Sequence, residues 1–156
     1  MFDMDQSHRP TAANDGALHL AQKTDFQHRG GYLPKRKIVL VVDDDSGMLR
    51  SVARLLRQSG YATVLFPSAE AFAKHRDFDR VVCVLLDINL GDGSGIDVRH
   101  CLKAANISVP VIYMTGNDSP AVRTAAHQSG CLAYLTKPFS AKSLMEPLHR
   151  AATGLA

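Results

Sequence analysis

The stretch Lys37-Ile38-Val39-Leu40-Val41-Val42-Asp43-Asp44-Asp45 decides how this chain folds. Five successive apolar residues, four of them β-branched, predict a strand at 38–42 buried on both faces. Three aspartates then end it abruptly. Two further all-apolar runs follow the same plan. Residues 81–86 lead into Asp87, and residues 109–114, with Pro110 near the start, lead into Thr115. Residues 61–66 and 131–135 complete a set of five predicted strands, the last leading to Lys137.

Helical signals fill the intervals. Ser46 is placed to cap a helix that runs to about residue 59, with Met48, Val52, Leu55 and Leu56 on one face and Gly60 as its stop. Pro67-Ser68 opens a short helix to residue 72. A third helix spans about 96–105, after the glycine-rich Gly91-Asp92-Gly93-Ser94-Gly95. Asp118-Ser119-Pro120 opens a fourth, which Gly130 ends. Ser140 caps a fifth, and Pro147 inside it is expected to kink it. Strands alternating with helices over short connections call for a parallel sheet covered on both sides.

Residues 1–35 differ in texture. They are polar and lack sustained periodicity, which predicts a disordered tail that can hold a short helix around 17–22. The tail through residue 37 carries six Lys/Arg against four Asp/Glu, and the remainder twelve against eleven. A domain so close to neutral, without clustered basic residues, does not have the charge pattern of a nucleic-acid binder. No apolar run is long enough for a membrane helix and the N-terminus has no signal-peptide pattern, so a cytoplasmic protein is expected. Cys83, Cys101 and Cys131 fit neither a zinc spacing nor a disulfide framework, and Cys83 reads as core. Gly91–Asp97 is not a dinucleotide-binding loop, because Ile96 stands where a glycine is needed, and no P-loop is present.

In open parallel sheets, ligands bind beyond the carboxyl ends of the strands. Here those ends bring Asp43, Asp44, Asp87, Thr115 and Lys137 to one edge. Carboxylates crowded in a cleft repel one another, and a divalent cation relieves the repulsion. Oxygen ligands without Cys or His favour Mg²⁺. One carboxylate could then attack a phosphoryl group, with Lys137 and Thr115 stabilising the anionic oxygens.

Four motifs carry a family resemblance: Val41-Val42-Asp43-Asp44, Leu86-Asp87-Ile88-Asn89-Leu90, Met114-Thr115-Gly116, and Tyr134-Leu135-Thr136-Lys137-Pro138-Phe139. In this order, each at a predicted strand end, they resemble the receiver domain of two-component response regulators over residues 37–152. The resemblance implies a flavodoxin-like (CheY-like) α/β fold with strand order 2-1-3-4-5 and five helices. It sets the receiver at 36–153, after the 1–35 tail, with no output domain expected. By similarity Asp87 is the phosphoacceptor. Asp44 holds Mg²⁺ directly and Asp43 largely through water, and the backbone carbonyl of Asn89 is a further ligand. Lys137 pairs with Asp87 and then with phosphate, and its bond to Pro138 is cis. Thr115 and Tyr134 are the switch residues, while Asn89 and Asn117 flank the phosphate and tune its loss.

The implied protein is a stand-alone regulator, not a turnover enzyme. It would be phosphorylated by a sensor histidine kinase or a histidine phosphotransfer protein, and would bind a downstream protein through its fourth helix, fifth strand and fifth helix. No nucleic acid or membrane partner is expected. Three departures stand out: Gly91 in place of a common proline, which predicts a mobile loop through Gly95; Gly116 in place of a common alanine; and Pro147 in the last helix. Two other readings compete. Asp43-x-Asp45 imitates the nucleophile motif of haloacid-dehalogenase phosphohydrolases, and a receiver-like scaffold could act without phosphate. Asp45 is otherwise expected to be merely solvated.

Overall fold

The computed structural model describes residues 35–155. The expected tail and its short helix lie outside the described residues. In chain order the elements are β1 (Ile38–Val42), α1 (Ser46–Gln58), β2 (Ala62–Phe66), α2 (Ala69–Ala73) and β3 (Val81–Asp87). A small hairpin, β4 (Asn89–Leu90) and β5 (Gly93–Ser94), comes next. Then follow α3 (Gly95–Ala104), β6 (Val111–Thr115), α4 (Pro120–Gln128), β7 (Ala133–Thr136) and α5 (Ala141–Ala152).

The main sheet has the order β2-β1-β3-β6-β7, and all its pairs are parallel. Because the hairpin takes two numbers, β6 and β7 are the predicted fourth and fifth strands, and the expected order holds. The alternation of side chains explains the unbroken apolar runs. Val39, Val41, Cys83, Leu85, Ile112 and Met114 point to one face, where α1 and α5 cover them through Leu49, Val52, Leu56, Leu144 and Leu148. Leu40, Val42, Val84, Leu86, Val111 and Tyr113 point to the other, where Phe72, Leu102 and Ala126 of α2, α3 and α4 close over them.

Several local expectations need correction. The N-cap of α1 is Asp45, whose Oδ1 accepts from the N–H groups of Gly47 and Met48, while Ser46 is the first helical residue. A carboxylate there also complements the positive helix end, so Asp45 is not merely solvated. The buried face of α1 is Leu49, Val52, Ala53 and Leu56, with Met48 and Leu55 only partly covered. The glycine-rich loop, for which no strand was expected, forms a small hairpin whose tip is tied to α2. Pro147 stands inside α5, as expected, and is buried. Cys83 is fully buried, and the three cysteines are free.

At its rear, α4 is fixed firmly. Arg99 and Lys103 of α3 donate to the carbonyls of Gly130 and Ser129, and the Ser129 hydroxyl lies 2.7 Å from the Tyr113 hydroxyl.

Candidate functional site

The strands end level with one another. Val42 of β1 pairs with Leu86 of β3, Asp87 with Met114 of β6, and Thr115 with Thr136 of β7. The residues that close or follow these strands therefore meet at one edge. Asp43, Asp87 and Thr115 are buried there, Asp43 and Thr115 completely.

The same local device fixes each of the three. A side-chain oxygen at the strand end accepts from the backbone N–H two residues on. Asp43 Oδ1 accepts from Asp45 at 2.9 Å, Asp87 Oδ1 from Asn89 at 3.1 Å, and Thr115 Oγ1 from Asn117 at 3.0 Å. Short polar side chains form such turns readily, which is why Asp and Thr suit the ends of buried strands. One oxygen of each carboxylate is thereby occupied, and the other is left for the site.

Lys137 links those remaining oxygens. Its ammonium is 2.8 Å from Asp43 Oδ2 and 3.3 Å from Asp87 Oδ2. The backbone N–H of Lys137 donates to the Thr115 carbonyl at 2.7 Å, and the Lys137–Pro138 peptide is cis. Asp44 is exposed, yet carboxylate oxygens of Asp43, Asp44 and Asp87 all lie within 4.8 Å of one another. Among the described residues this is the only such group of possible metal ligands.

The electrostatics follow from this crowding. Burial, and then the neighbouring Asp43 charge, push the Asp87 carboxyl up to about 6 despite the opposing pull of Lys137. Burial alone would lower the Lys137 pKa, but Asp43 and Asp87 together raise it. One ammonium thus faces three carboxylates, two of them buried. The donor set is all oxygen and retains excess negative charge, which fits a hard divalent cation such as Mg²⁺.

At the edge of the sheet, the Tyr134 hydroxyl donates to Asp118 Oδ1 at 2.9 Å, and the Arg123 guanidinium lies 4.7 Å from its ring centre. Arg123 also bridges to Asp118 Oδ2 at 2.6 Å. From the sequence Asp118 was read only as part of the opening of α4, whose N-cap is Ser119, and Arg123 was not singled out, since their link to Tyr134 has no signal until that helix is placed beside β7. Asn89 and Asn117 are both exposed at the mouth of the site. A Cβ at Gly116 would meet no atom within 4 Å.

Comparison with known proteins places these observations. A family model described as "Response regulator receiver domain" matches residues 39–149. Nodulation protein W of Bradyrhizobium diazoefficiens is 33% identical over 124 residues, which cover 78% of this chain and 55% of that protein. The cell cycle transcriptional regulator CtrA of Caulobacter vibrioides is 32% identical over 114 residues, 71% of this chain and 48% of that one. The chain spans about half the length of the curated relatives it matches. A crystal structure of a CheY-like receiver domain protein from Methanospirillum hungatei JF-1 has a TM-score of 0.71 at 26% identity, over 78% of this chain and 97% of that one.

Proposed function

This chain belongs to the response regulator receiver family, and from that membership we propose that it is a phosphorylation switch whose acceptor is Asp87. Receiver domains are signalling modules that accept phosphoryl groups from histidine kinases and bind Mg²⁺ at an acidic pocket. The observation that carries the assignment is the buried Asp87 carboxylate, one oxygen held by the Asn89 N–H and the other facing Lys137 and the Asp43–Asp44 pair.

In this reading, Asp43, Asp44, Asp87 and the Asn89 carbonyl hold Mg²⁺. A bound Mg²⁺ neutralises carboxylate and phosphoryl oxygens, which lowers the barrier to attack by an anion. A carboxylate oxygen of Asp87 attacks the phosphorus, the P–N bond to the donor histidine breaks, and the imidazole leaves and takes up a proton. Lys137 follows the charge from the carboxylate to a phosphoryl oxygen. The Thr115 hydroxyl, which lies at the same edge, then donates to another. Hydrolysis returns the free carboxylate and inorganic phosphate. With two small uncharged side chains, Asn89 and Asn117, at the mouth, water reaches the phosphoryl group, so the phosphorylated form is expected to be short-lived.

The output face in this reading is α4, β7 and α5. Tyr134 marks it: the Asp118 and Arg123 contacts hold the ring outward, and movement of Thr115 toward a phosphate makes room for it to turn in. The equilibrium between the two placements is what phosphorylation biases. A downstream protein reading that face is the expected partner.

The phosphohydrolase reading fares worse. It needs Asp43 as nucleophile, but of the two buried acids Asp43 is the more closed off, fully buried and 2.8 Å from the Lys137 ammonium, against 4% exposure and 3.3 Å for Asp87. Asp45, the second acid of that motif, is engaged as the α1 cap.

The direct test is incubation of the protein with Mg²⁺ and a small acyl phosphate, followed by intact-mass measurement. One added phosphoryl group that requires Mg²⁺ is the expected result. No addition under any condition would leave a phosphate-independent scaffold as the better description.

Mg²⁺ binding should also depend on pH. Protons and the cation compete for Asp87, whose carboxyl is pushed up to about 6 by burial and the Asp43 charge. The site is open to the cation above that value and closes as pH falls through it. Affinity at pH 5 should be about tenfold weaker than at pH 7.5. Calorimetric titration that gave equal affinities at both would place the binding elsewhere.

A further inference from the structure

The β4–β5 hairpin is too small to hold its own shape. It has two residue pairs, Asn89 with Ser94 and Leu90 with Gly93, joined through Gly91 and Asp92. Glycines at 91, 93 and 95 give the segment wide conformational freedom, and even a full two-stranded hairpin is marginal alone. Its base is secured by Asn89 N–H to Asp87 Oδ1 and by Gly95 N–H to the Ile88 carbonyl. Its tip is secured by one side chain. Asp92 Oδ1 accepts from the Ala69 N–H at 3.0 Å and Oδ2 from the Glu70 N–H at 2.9 Å, both at the amino end of α2. Hydrogen bonds to an ionised acceptor are stronger than neutral ones, and the helix end adds a favourable field. These two N–H groups hold the Asp92 carboxyl below its ordinary range.

We infer that Asp92 is a positioning residue for the phosphorylation site, holding the hairpin against α2 and with it Asn89, whose carbonyl would serve as a ligand to the cation. This rests on the assignment of that carbonyl as a Mg²⁺ ligand. Two contacts show what the tether controls. A Cβ at Gly93 would lie 3.9 Å from Ala69 Cβ, so the hairpin sits on α2. A Cβ at Gly91 would lie 3.5 Å from Asp44 Oδ2, so the same turn borders the exposed carboxylate of the metal group. Helix α2 does not depend on Asp92 for its cap, because Ser68 Oγ already accepts from the Ala71 N–H at 3.0 Å. Loss of the Asp92 carboxylate therefore falls on the hairpin first.

That division supplies the control. Ser68→Ala removes the other cap of α2 and leaves the hairpin tether intact. Mg²⁺ affinity is to be measured by calorimetry, and melting by circular dichroism, on the full chain and on Asp92→Ala, Asp92→Asn and Ser68→Ala. Asp92→Ala is expected to bind Mg²⁺ about tenfold more weakly, the lower end of what loss of a supporting partner costs a metal site. Its phosphoryl uptake should recover at high Mg²⁺. Asp92→Asn keeps one accepting oxygen and should fall between Asp92→Ala and the unaltered protein. Ser68→Ala should bind Mg²⁺ within about twofold of the unaltered protein even where it melts lower. Unchanged affinity in Asp92→Ala, or an equal loss in Ser68→Ala, would overturn the inference alone. Failure of the unaltered protein to bind Mg²⁺ would instead remove the site assignment, and this inference with it.

Discussion

Asp87→Asn protein is expected to take up no phosphoryl group under conditions where the unaltered chain takes up one, and to melt at the same temperature or higher. The two halves have one cause. Asp87 is 4% exposed, and burial together with the Asp43 charge makes its ionised form costly, which is what raises its carboxyl to about 6. A carboxyl whose folded pKa lies above the unfolded value binds extra protons in the folded state between about pH 4 and 6. The metal-free fold therefore loses stability from this group as pH rises through that window, and stays without it at neutral pH. An amide carries no such penalty. Its oxygen can still accept from the Asn89 N–H, and Lys137 keeps its shorter bond to Asp43. The proposed nucleophile is lost while the fold is relieved. Intact mass and thermal melting at pH 7.5 read both effects. Asp43→Asn completes the comparison. It should weaken Mg²⁺ binding yet still allow slow labelling at high Mg²⁺. Label retained in Asp87→Asn and lost in Asp43→Asn would make Asp43 the nucleophile and revive the phosphohydrolase reading.

How much of this was legible beforehand depended on the range of the interaction involved. The β1, β3 and β6 runs were legible because a strand buried on both faces must be apolar at every position. Their ends carried Asp43, Asp87 and Thr115, so parallel topology alone was enough to gather the site residues at one edge. Boundaries were less legible: β6 starts at Val111 and not at 109, although the Pro110 carbonyl still accepts from Val84. Asp43, Asp44 and Asp45 are chemically identical in the sequence and do three different things. One is buried against Lys137, one is exposed among the carboxylates, and one caps α1. Only the direction of the chain after β1 separates them. Asp92 gave no signal either, because its partners are Ala69 and Glu70, more than twenty positions away and joined through backbone N–H groups that any residue would offer. The Asp118–Tyr134 contact, between side chains sixteen positions apart, likewise shows only once α4 lies beside β7. Short-range patterns reveal strands and caps, whereas tethers between loops and helices need the fold first.

Gly95→Ala is expected to be among the most damaging substitutions of a single methyl group in this chain. Gly95 begins α3 immediately behind Asp87, the proposed acceptor, and a Cβ built there would run into the Asp87 carbonyl oxygen and lie 3.1 Å from Ile88 Cα. Both are backbone atoms, so no rotamer change can relieve the contact. Either the first turn of α3 moves away or the main chain of Asp87 does. Helix propensity acts the other way, favouring alanine over glycine by up to about 1 kcal/mol within a helix. Forced contacts in a packed interior cost roughly 1–3 kcal/mol, and a rigid clash this close belongs at the upper end. The contact should win, with a net loss of about 2 kcal/mol, or roughly 10 °C in Tm for a domain of this size. Gly116→Ala is the matched control, since a Cβ there meets no atom within 4 Å, and it should melt within about 2 °C of the unaltered protein. Below its melting temperature, folded Gly95→Ala should also take up phosphoryl groups more slowly than Gly116→Ala, because the strain lies on the main chain that aims Asp87. An unchanged Tm and unchanged uptake in Gly95→Ala would mean that α3 can shift freely, and that the close approach of helix and strand does not position the acceptor.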